Sequence, residues 1–293
     1  MPIDPAEATA APPVRTEVRW DAHAVRLYHL ALGAGVPETD PRELRYVYEG
    51  HPDGLQTLPT FGVVAGGTGG VGFQVFDHPG IAVDLAAVLH GGQEITVHRP
   101  LPPAARATAV TRVTDVYDKG RAAVLVQEST LLGEDGAPLL TQRNEIFVRG
   151  EGGFGGHRGP SRRLPAPDRA PDLVLELPTL RQQALLYRLT GDWNPLHADP
   201  ATARRAGYDR PVLHGLCTFG IAVKAVTDRL YDGDAAAVTG CRTRFAGVFL
   251  PGETLRLRVW HTADGHLLTA TSADRDDAPV LTDALVTGRR PTP

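Results

Sequence analysis

Asp192 and His197 are the two side chains whose types and spacing invite chemistry, separated by Trp193-Asn-Pro-Leu196. A carboxylate and an imidazole that share one water can take a proton from it and return it, which is general acid/base catalysis. Five residues apart on a continuous helix they would point to different faces, and Pro195 between them removes a helical hydrogen bond, so the segment must bend as a loop. Taken alone, an Asp-x-Asn-Pro turn is more often a turn whose side chains bond their own backbone, with the imidazole satisfied by a carbonyl. What surrounds it shifts the balance.

Thr179 with Gln182 three positions later fits a capping box opening a helix through Leu185, Leu186 and Leu189, which Gly191 closes in a left-handed conformation. Asp199-Pro200 reads as an N-cap followed by proline in the first helical position, and Gly207 closes that short helix. Pro211-Val-Leu-His-Gly-Leu-Cys-Thr-Phe-Gly220 then leads into an almost unbroken apolar run to Val226, which predicts a helix buried on most sides with Gly215 in its first turn. Free N–H groups at such a start can hold a developing oxyanion. One short stretch thus carries an acid/base pair and an oxyanion donor. Asp192, His197, Asp199 and His214 are also potential metal ligands, but the spacing lacks His-x-x-x-His or paired cysteines and Asp199 is better used as a cap, so no metal is expected.

Asp192-Trp-Asn-Pro-Leu-His197, followed by Ala206-Gly-Tyr-Asp-Arg-Pro-Val-Leu-His-Gly-Leu216, resembles the hydratase motif of type 2, (R)-specific enoyl-CoA hydratases, the MaoC-like dehydratases of hot-dog fold. Tyr46-Val-Tyr-Glu-Gly50, Leu58-Pro-Thr-Phe-Gly62, Val88-Leu-His-Gly91, Asp118-Lys-Gly120 and Gly152-Gly-Phe-Gly-Gly156 extend the likeness to the eukaryotic-type two-repeat members. The resemblance implies reversible syn addition of water to a (2E)-enoyl-CoA, giving a (3R)-3-hydroxyacyl-CoA, in fatty-acid metabolism such as β-oxidation. It casts Asp192 and His197 as acid and base, Asn194 as their support and the Gly215 N–H as oxyanion donor. It also places acyl-CoA against His90, Gly91, Lys119, Trp193, Pro195, Leu196 and Phe245, with Lys119 meeting a CoA phosphate. Glu49 matches a carboxylate near the family's site, although its own surroundings read as surface. Gly92 departs from the family, whose members carry Glu after His-Gly. No cofactor is implied, since CoA belongs to the substrate. A hot-dog thioesterase is the alternative enzyme, and an acyl-CoA binding module with an unused loop is the alternative outside enzymes.

An internal repeat frames these residues. Leu27-Tyr-His-Leu30 matches Leu186-Tyr-Arg-Leu189, and Leu58-Pro-Thr-Phe-Gly62 matches Leu216-Cys-Thr-Phe-Gly220, with offsets that differ by one residue. Two diverged copies are implied. In that register Gly33 stands where the second copy has Asp192 and Glu38 where it has His197, so the first copy has lost the pair. Gly66-Gly-Thr-Gly-Gly-Val-Gly72 lacks the Lys-Ser/Thr of a phosphate loop and reads as a flexible loop. Alternating apolar residues between turn formers predict strands at 94–98, 107–116, 122–131 and 139–148, and again at 237–249, 254–261, 267–272 and 280–287. The expected class is α+β, a double hot-dog whose two tandem units each wrap a long helix in an antiparallel sheet. Its parts are a loose arm at 1–20, a degenerate repeat at 21–150 that gives the substrate room, a linker at 151–172 and a catalytic repeat at 173–293.

Composition bounds the partners. A chain of 293 residues with 42% hydrophobic content can bury two ordinary cores, and a net charge of −4 with dispersed basic residues shows no nucleic-acid or membrane-surface footprint. Cys217 and Cys241 have neither metal nor redox spacing, the N-terminus lacks the order of a secretory signal, and Arg-Pro-Thr-Pro at the end is not a peroxisomal address, so a cytoplasmic protein is expected. A homodimer is the family-based expectation for assembly. If the repeats have diverged as read, Glu38→Ala should leave turnover nearly intact. A large fall in turnover of the folded variant would contradict the asymmetric repeat.

Overall fold

Apolar side chains recur at every second position along most strand segments, so most strands bury one face while satisfying their backbone by pairing with neighbours. The computed structural model describes residues 2–67, 78–84 and 87–289. Its first half runs α1 (Pro5–Ala10), β1 (Val14–Trp20), α2 (Ala22–Ala31), α3 (Pro41–Leu44), β2 (Val88–Val97), β3 (Ala105–Asp118), β4 (Ala122–Gly133) and β5 (Pro138–Arg149). The second runs β6 (Leu173–Pro178), α4 (Gln183–Tyr187), α5 (Pro200–Arg205), α6 (Gly215–Leu230), β7 (Val238–Phe245), β8 (Thr254–Thr262), β9 (Gly265–Ser272) and β10 (Ala278–Gly288). The ten strands of the described residues form one sheet in the order β1-β3-β4-β5-β2-β7-β10-β9-β8-β6. The halves meet at a seam, β2 antiparallel to β7 from Gly92 opposite Arg244 to Thr96 opposite Gly240. This is the α+β double hot-dog, and pairing across the seam removes the open edge each half would otherwise present.

Helix α6 is buried from Cys217 through Thr227, as its apolar run predicts. A Cβ on Gly220 would come within 2.7 Å of the Tyr28 hydroxyl and of Leu32, so this glycine lets α2 lie close against α6. Tyr28 and Tyr187, which correspond in the repeat, face each other with ring centroids 6.0 Å apart, so the two copies meet through matching side chains. A second contact between halves is polar. Lys224 Nζ donates to Glu43 at 2.8 and 3.0 Å and to Asp228 at 2.8 Å, and Tyr46 donates its hydroxyl to Asp228 at 2.7 Å.

Four expectations need correction. Residues 1–20 are not a loose arm: Asp4 caps α1, Ile3 and Ala8 are buried, and β1 pairs with β3. The register that relates Leu27 to Leu186 also relates Val14 to Leu173, so β1 and β6 are corresponding edge strands. In β1 the period of two is present, with Val18 and Trp20 buried and Arg15, Glu17 and Arg19 exposed, but the charged positions give the segment the composition of a loose arm. Strand β6 is an apolar run interrupted only by Glu176. The Thr179/Gln182 capping box does not form. The Thr179 hydroxyl donates to Glu253 O at 2.7 Å, the turn is held by Leu180 N–H donating to Gln183 Oε1 at 2.8 Å, and the helix is only α4 continued by a 3-10 turn at Arg188–Thr190. Where the first copy was expected to repeat the buried helix, a five-residue 3-10 turn stands at Pro59–Val63. The glycine run 66–72 lies largely outside the described residues. The segment after Gly150 is tied down at its start, because Asp118 accepts N–H bonds from Gly153 at 2.9 Å and Gly155 at 2.8 Å.

The Lys224 side chain is 10% exposed, with Glu43 at 16% and Asp228 at 25%. Removing the ammonium strands two mostly buried carboxylates, so Lys224→Ala should cost about 3 kcal/mol or more in denaturant unfolding. Arg112→Ala, which breaks the exposed cross-strand pair with Glu128, should barely move the midpoint. Equal effects of the two changes would show that the clasp between halves contributes nothing special.

Candidate active site

Gly191 leaves the 3-10 turn at φ +124°, a value glycine adopts readily, and turns the chain into the loop. Pro195–His197 forms a second 3-10 turn, and Asp199 caps α5 by accepting N–H bonds from Ala201 at 3.0 Å and Thr202 at 2.9 Å, as its sequence predicts. Within the loop the Asn194 N–H donates to Asp192 Oδ1 at 3.2 Å, and Asn194 Oδ1 accepts the Leu196 N–H at 3.0 Å. Asn194 is thus engaged through both its backbone and its side chain. Its main chain holds the carboxylate while its side-chain oxygen is used to cap the turn that Pro195 begins. Leu196 is half-buried, and Trp193 is half-exposed with the Arg188 guanidinium 4.4 Å from its ring centre.

Donor atoms of Asp192, His197 and His214 all lie within 4.8 Å of one another. His197 Nδ1 is 2.9 Å from Val212 O, and since a carbonyl only accepts, Nδ1 carries the proton and Nε2 of the neutral ring is left as an acceptor. Burial lowers the His197 pKa below the ordinary imidazole value, while the Asp192 charge and the Val212 carbonyl oppose that shift. His214 is the functional neighbour that sequence reasoning considered only as a metal ligand. It is fully buried, donates Nε2–H to the main-chain oxygen of Asp192 at 3.3 Å, and stacks on His197 with centroids 3.7 Å apart and planes 26° apart. Burial, then the neighbouring His197, push its pKa down to about 2. Its place directly before Gly215 was the signal available in the sequence.

These three side chains suit one shared metal ion poorly. Ligand lone pairs lie in the ring planes, and two stacked rings whose planes differ by only 26° send theirs in nearly parallel planes rather than converging on one ion at about 2.1 Å.

Gly215 opens α6, which has no side-chain cap, so its N–H heads the helix without an intrahelical partner. A Cβ there would sit 2.9 Å from the Phe245 ring, which excludes any larger residue. Phe245 in turn packs 4.7 Å from the ring of His90, whose Nε2–H donates to Gly92 O at 3.0 Å and whose pKa burial pushes down to about 4. The seam thereby brings His90 of β2 to the start of α6. Gly91, Gly92 and Lys119 line an adjoining groove of about 350 Å³, together with Arg143, Arg242 and Arg244. Lys119 Nζ also meets the Arg158 carbonyl. Glu49 is exposed and pairs with Arg26 of α2, and its carboxylate is not among the acidic and imidazole groups gathered at Asp192 in the described residues.

Residues 19–150 match the MFE-2 hydratase 2 N-terminal domain and residues 163–275 the MaoC like domain. Enoyl-CoA hydratase ChsH3 of Mycobacterium tuberculosis is 51% identical over 96% of this chain and 97% of its own length. Among solved structures, a MaoC-like dehydratase from Phytophthora capsici superposes with a TM-score of 0.87 at 29% identity, covering 98% of this chain and 99% of that one. The peroxisomal multifunctional enzyme type 2 of Drosophila melanogaster superposes with a TM-score of 0.81 at 31% identity, over 94% of this chain and 48% of that one. With both halves matched, and with a relative this similar over its full length, the chain belongs to the MaoC-like, hydratase 2 family.

Proposed function

We propose that the protein is an (R)-specific enoyl-CoA hydratase and 3-hydroxyacyl-CoA dehydratase, a hydro-lyase acting on acyl-CoA thioesters. The observation that carries the reading is the approach of the Asp192 carboxylate to the His197 imidazole beside the helix start at Gly215. Kinship with chains named enoyl-CoA hydratase supports the substrate class.

In the hydration direction a water held by Asp192 and His197 loses a proton to the pair as its oxygen bonds to C3. The π electrons shift toward the thioester carbonyl, whose oxygen gains negative charge and accepts the Gly215 N–H. The proton held by the pair then passes to C2 on the same face, so addition is syn and the pair returns to its starting state. No metal or cofactor enters the scheme. The groove beside Gly91 is lined by more basic than acidic side chains. Glu94, Glu145 and Asp283 pair with Arg162, Arg143 and Arg163, and Lys119, Arg242 and Arg244 are the further cations suited to the CoA phosphates.

A setting in cytoplasmic fatty-acid β-oxidation is part of this proposal, and the buried free thiols of Cys217 and Cys241 fit a reducing compartment. No helix among the described residues is long and apolar enough to cross a membrane. Association into a homodimer belongs to the same reading, and the exposed Leu185 and Leu189 offer apolar surface for it.

Crotonyl-CoA is the direct test. Loss of the conjugated absorbance without free thiol is expected, whereas free thiol would mean hydrolysis and no change would leave binding alone. Asp192→Asn and His197→Ala should each lower kcat by roughly a hundredfold or more, and the double variant should lose little beyond either, because the groups act as a unit. Variants that melt early yet keep wild-type turnover would reduce the pair to a structural turn. The neutral imidazole is the proton acceptor, so kcat/KM should fall as pH drops through the His197 pKa, and that limb should lie below the ordinary imidazole value. Asp192→Asn removes a charge that raises this pKa, so the residual activity should show the limb at still lower pH. A limb that stayed put or rose would contradict the coupling.

For the groove, Lys119→Ala should raise KM for CoA substrates more than it lowers kcat and should leave pantetheine thioesters nearly unaffected. Equal losses with both substrate types would remove Lys119 from the CoA contact.

A further inference from the structure

The acid/base scheme makes no use of His214, although this side chain touches both of its members. We infer that His214 is a positioning residue, an uncharged clamp that sets the Asp192–His197 pair at a fixed distance from the Gly215 N–H. The inference rests on reading Asp192 and His197 as the reacting pair.

Three contacts support it. His214 is the residue before Gly215 and caps a helix buried from Cys217 to Thr227, so its backbone is as firmly placed as the core. Its Nε2–H donates to the Asp192 main-chain oxygen, tying a loop whose other bonds at Asp192 and Asn194 are local turn bonds between neighbours. Its ring covers one face of His197 while Val212, two residues earlier, takes the His197 Nδ1–H. Residues 212–214 therefore fix both the tilt and the tautomer of the base, and the next residue supplies the oxyanion donor. On another side the Tyr187 ring holds His214 at 4.8 Å.

A side chain chosen only to fill this space would be apolar. Instead His214 Nδ1 is buried without a hydrogen-bond partner, a feature that costs stability. An unpartnered lone pair is tolerable where a buried, unpartnered N–H⁺ is not, so the arrangement keeps the ring neutral with its single proton on Nε2, aimed at Asp192. The neutral ring also leaves His197 free of an adjacent positive charge.

The test compares His214→Leu, which keeps bulk and removes the donor, with His214→Gln, whose amide reaches about as far as Nε2. With crotonyl-CoA, the Leu variant should lose roughly 10- to 100-fold in kcat with KM changed less than about threefold, and Gln should recover most of the loss. Water entering beside His197 in the Leu variant should move the acid limb of kcat/KM upward, toward the ordinary imidazole value. A folded Leu variant with wild-type kcat, or Leu and Gln variants equally impaired at equal Tm, would overturn the clamp. If the Leu variant does not fold, His214→Met takes its place against Gln with the same two outcomes. An inactive wild type would sink the hydratase reading itself, whereas an active wild type beside an unaffected donorless variant sinks only the role of His214.

Discussion

Burial of α6 against the ten-stranded sheet is the constraint from which the rest of the site follows. Phe219, Ile221, Val223 and Val226 alone leave water almost completely, at about 1.5–3 kcal/mol each. A helix cap contributes on the order of 1 kcal/mol, and α6 has no side-chain cap. Packing therefore decides where the first turn begins. Gly215, His214 and Val212 inherit that position, and the loop carrying Asp192 and His197 is attached to it by two hydrogen bonds.

The same burial sets the protonation states. His90, His197 and His214 stand at or near the start of α6, and in each case burial is the largest influence and lowers the pKa. Among the three, the Asp192 charge opposes the shift at His197, which favours that ring as the one to take up a proton in the reaction. Three imidazoles in one region thus differ in use because one of them faces Asp192.

The two halves explain why the site occurs once. Their sheets join at β2–β7, and the seam carries His90 and Phe245 to the mouth of α6. Tyr28 and Tyr187 mark the near-symmetry, and Thr60 and Thr218 occupy matching places in the second repeated motif. Where Asp192 and His197 stand in one copy, Gly33 and Glu38 stand in the other, so the matching position has no carboxylate–imidazole pair. The first half instead contributes β2, with His90 against Phe245, to the seam, and Glu43 and Tyr46 to the clasp with α6.

Local chemistry was legible in the sequence wherever neighbours in the chain decide the structure. The Asp199 cap, the turn at Asn194-Pro195, the glycine exits, the strand alternation and the buried run of α6 depend on contacts within a few residues or on a simple period, and each stands in the structure. The repeat register was legible too, and together with the alternation of Val14, Thr16, Val18 and Trp20 it marks β1 as the counterpart of β6. What tertiary structure decided were contacts between residues far apart in the chain. The stack of His214 on His197, the partner of Thr179, the approach of Phe245 to Gly215 and the clasp of Lys224 with Glu43 leave no mark on local spacing. Glu49 shows the same limit from the other side, since a motif match could not reveal that its carboxylate turns to Arg26. The sequence by itself determined which groups could exchange protons and which segments would bury their faces. Only tertiary packing closed the loop of Asp192 and His197 onto the start of α6 within the second half, and brought His90 of the first half beside Phe245 across the seam, because those contacts depend on how buried surfaces fit together rather than on any residue's neighbours in the chain.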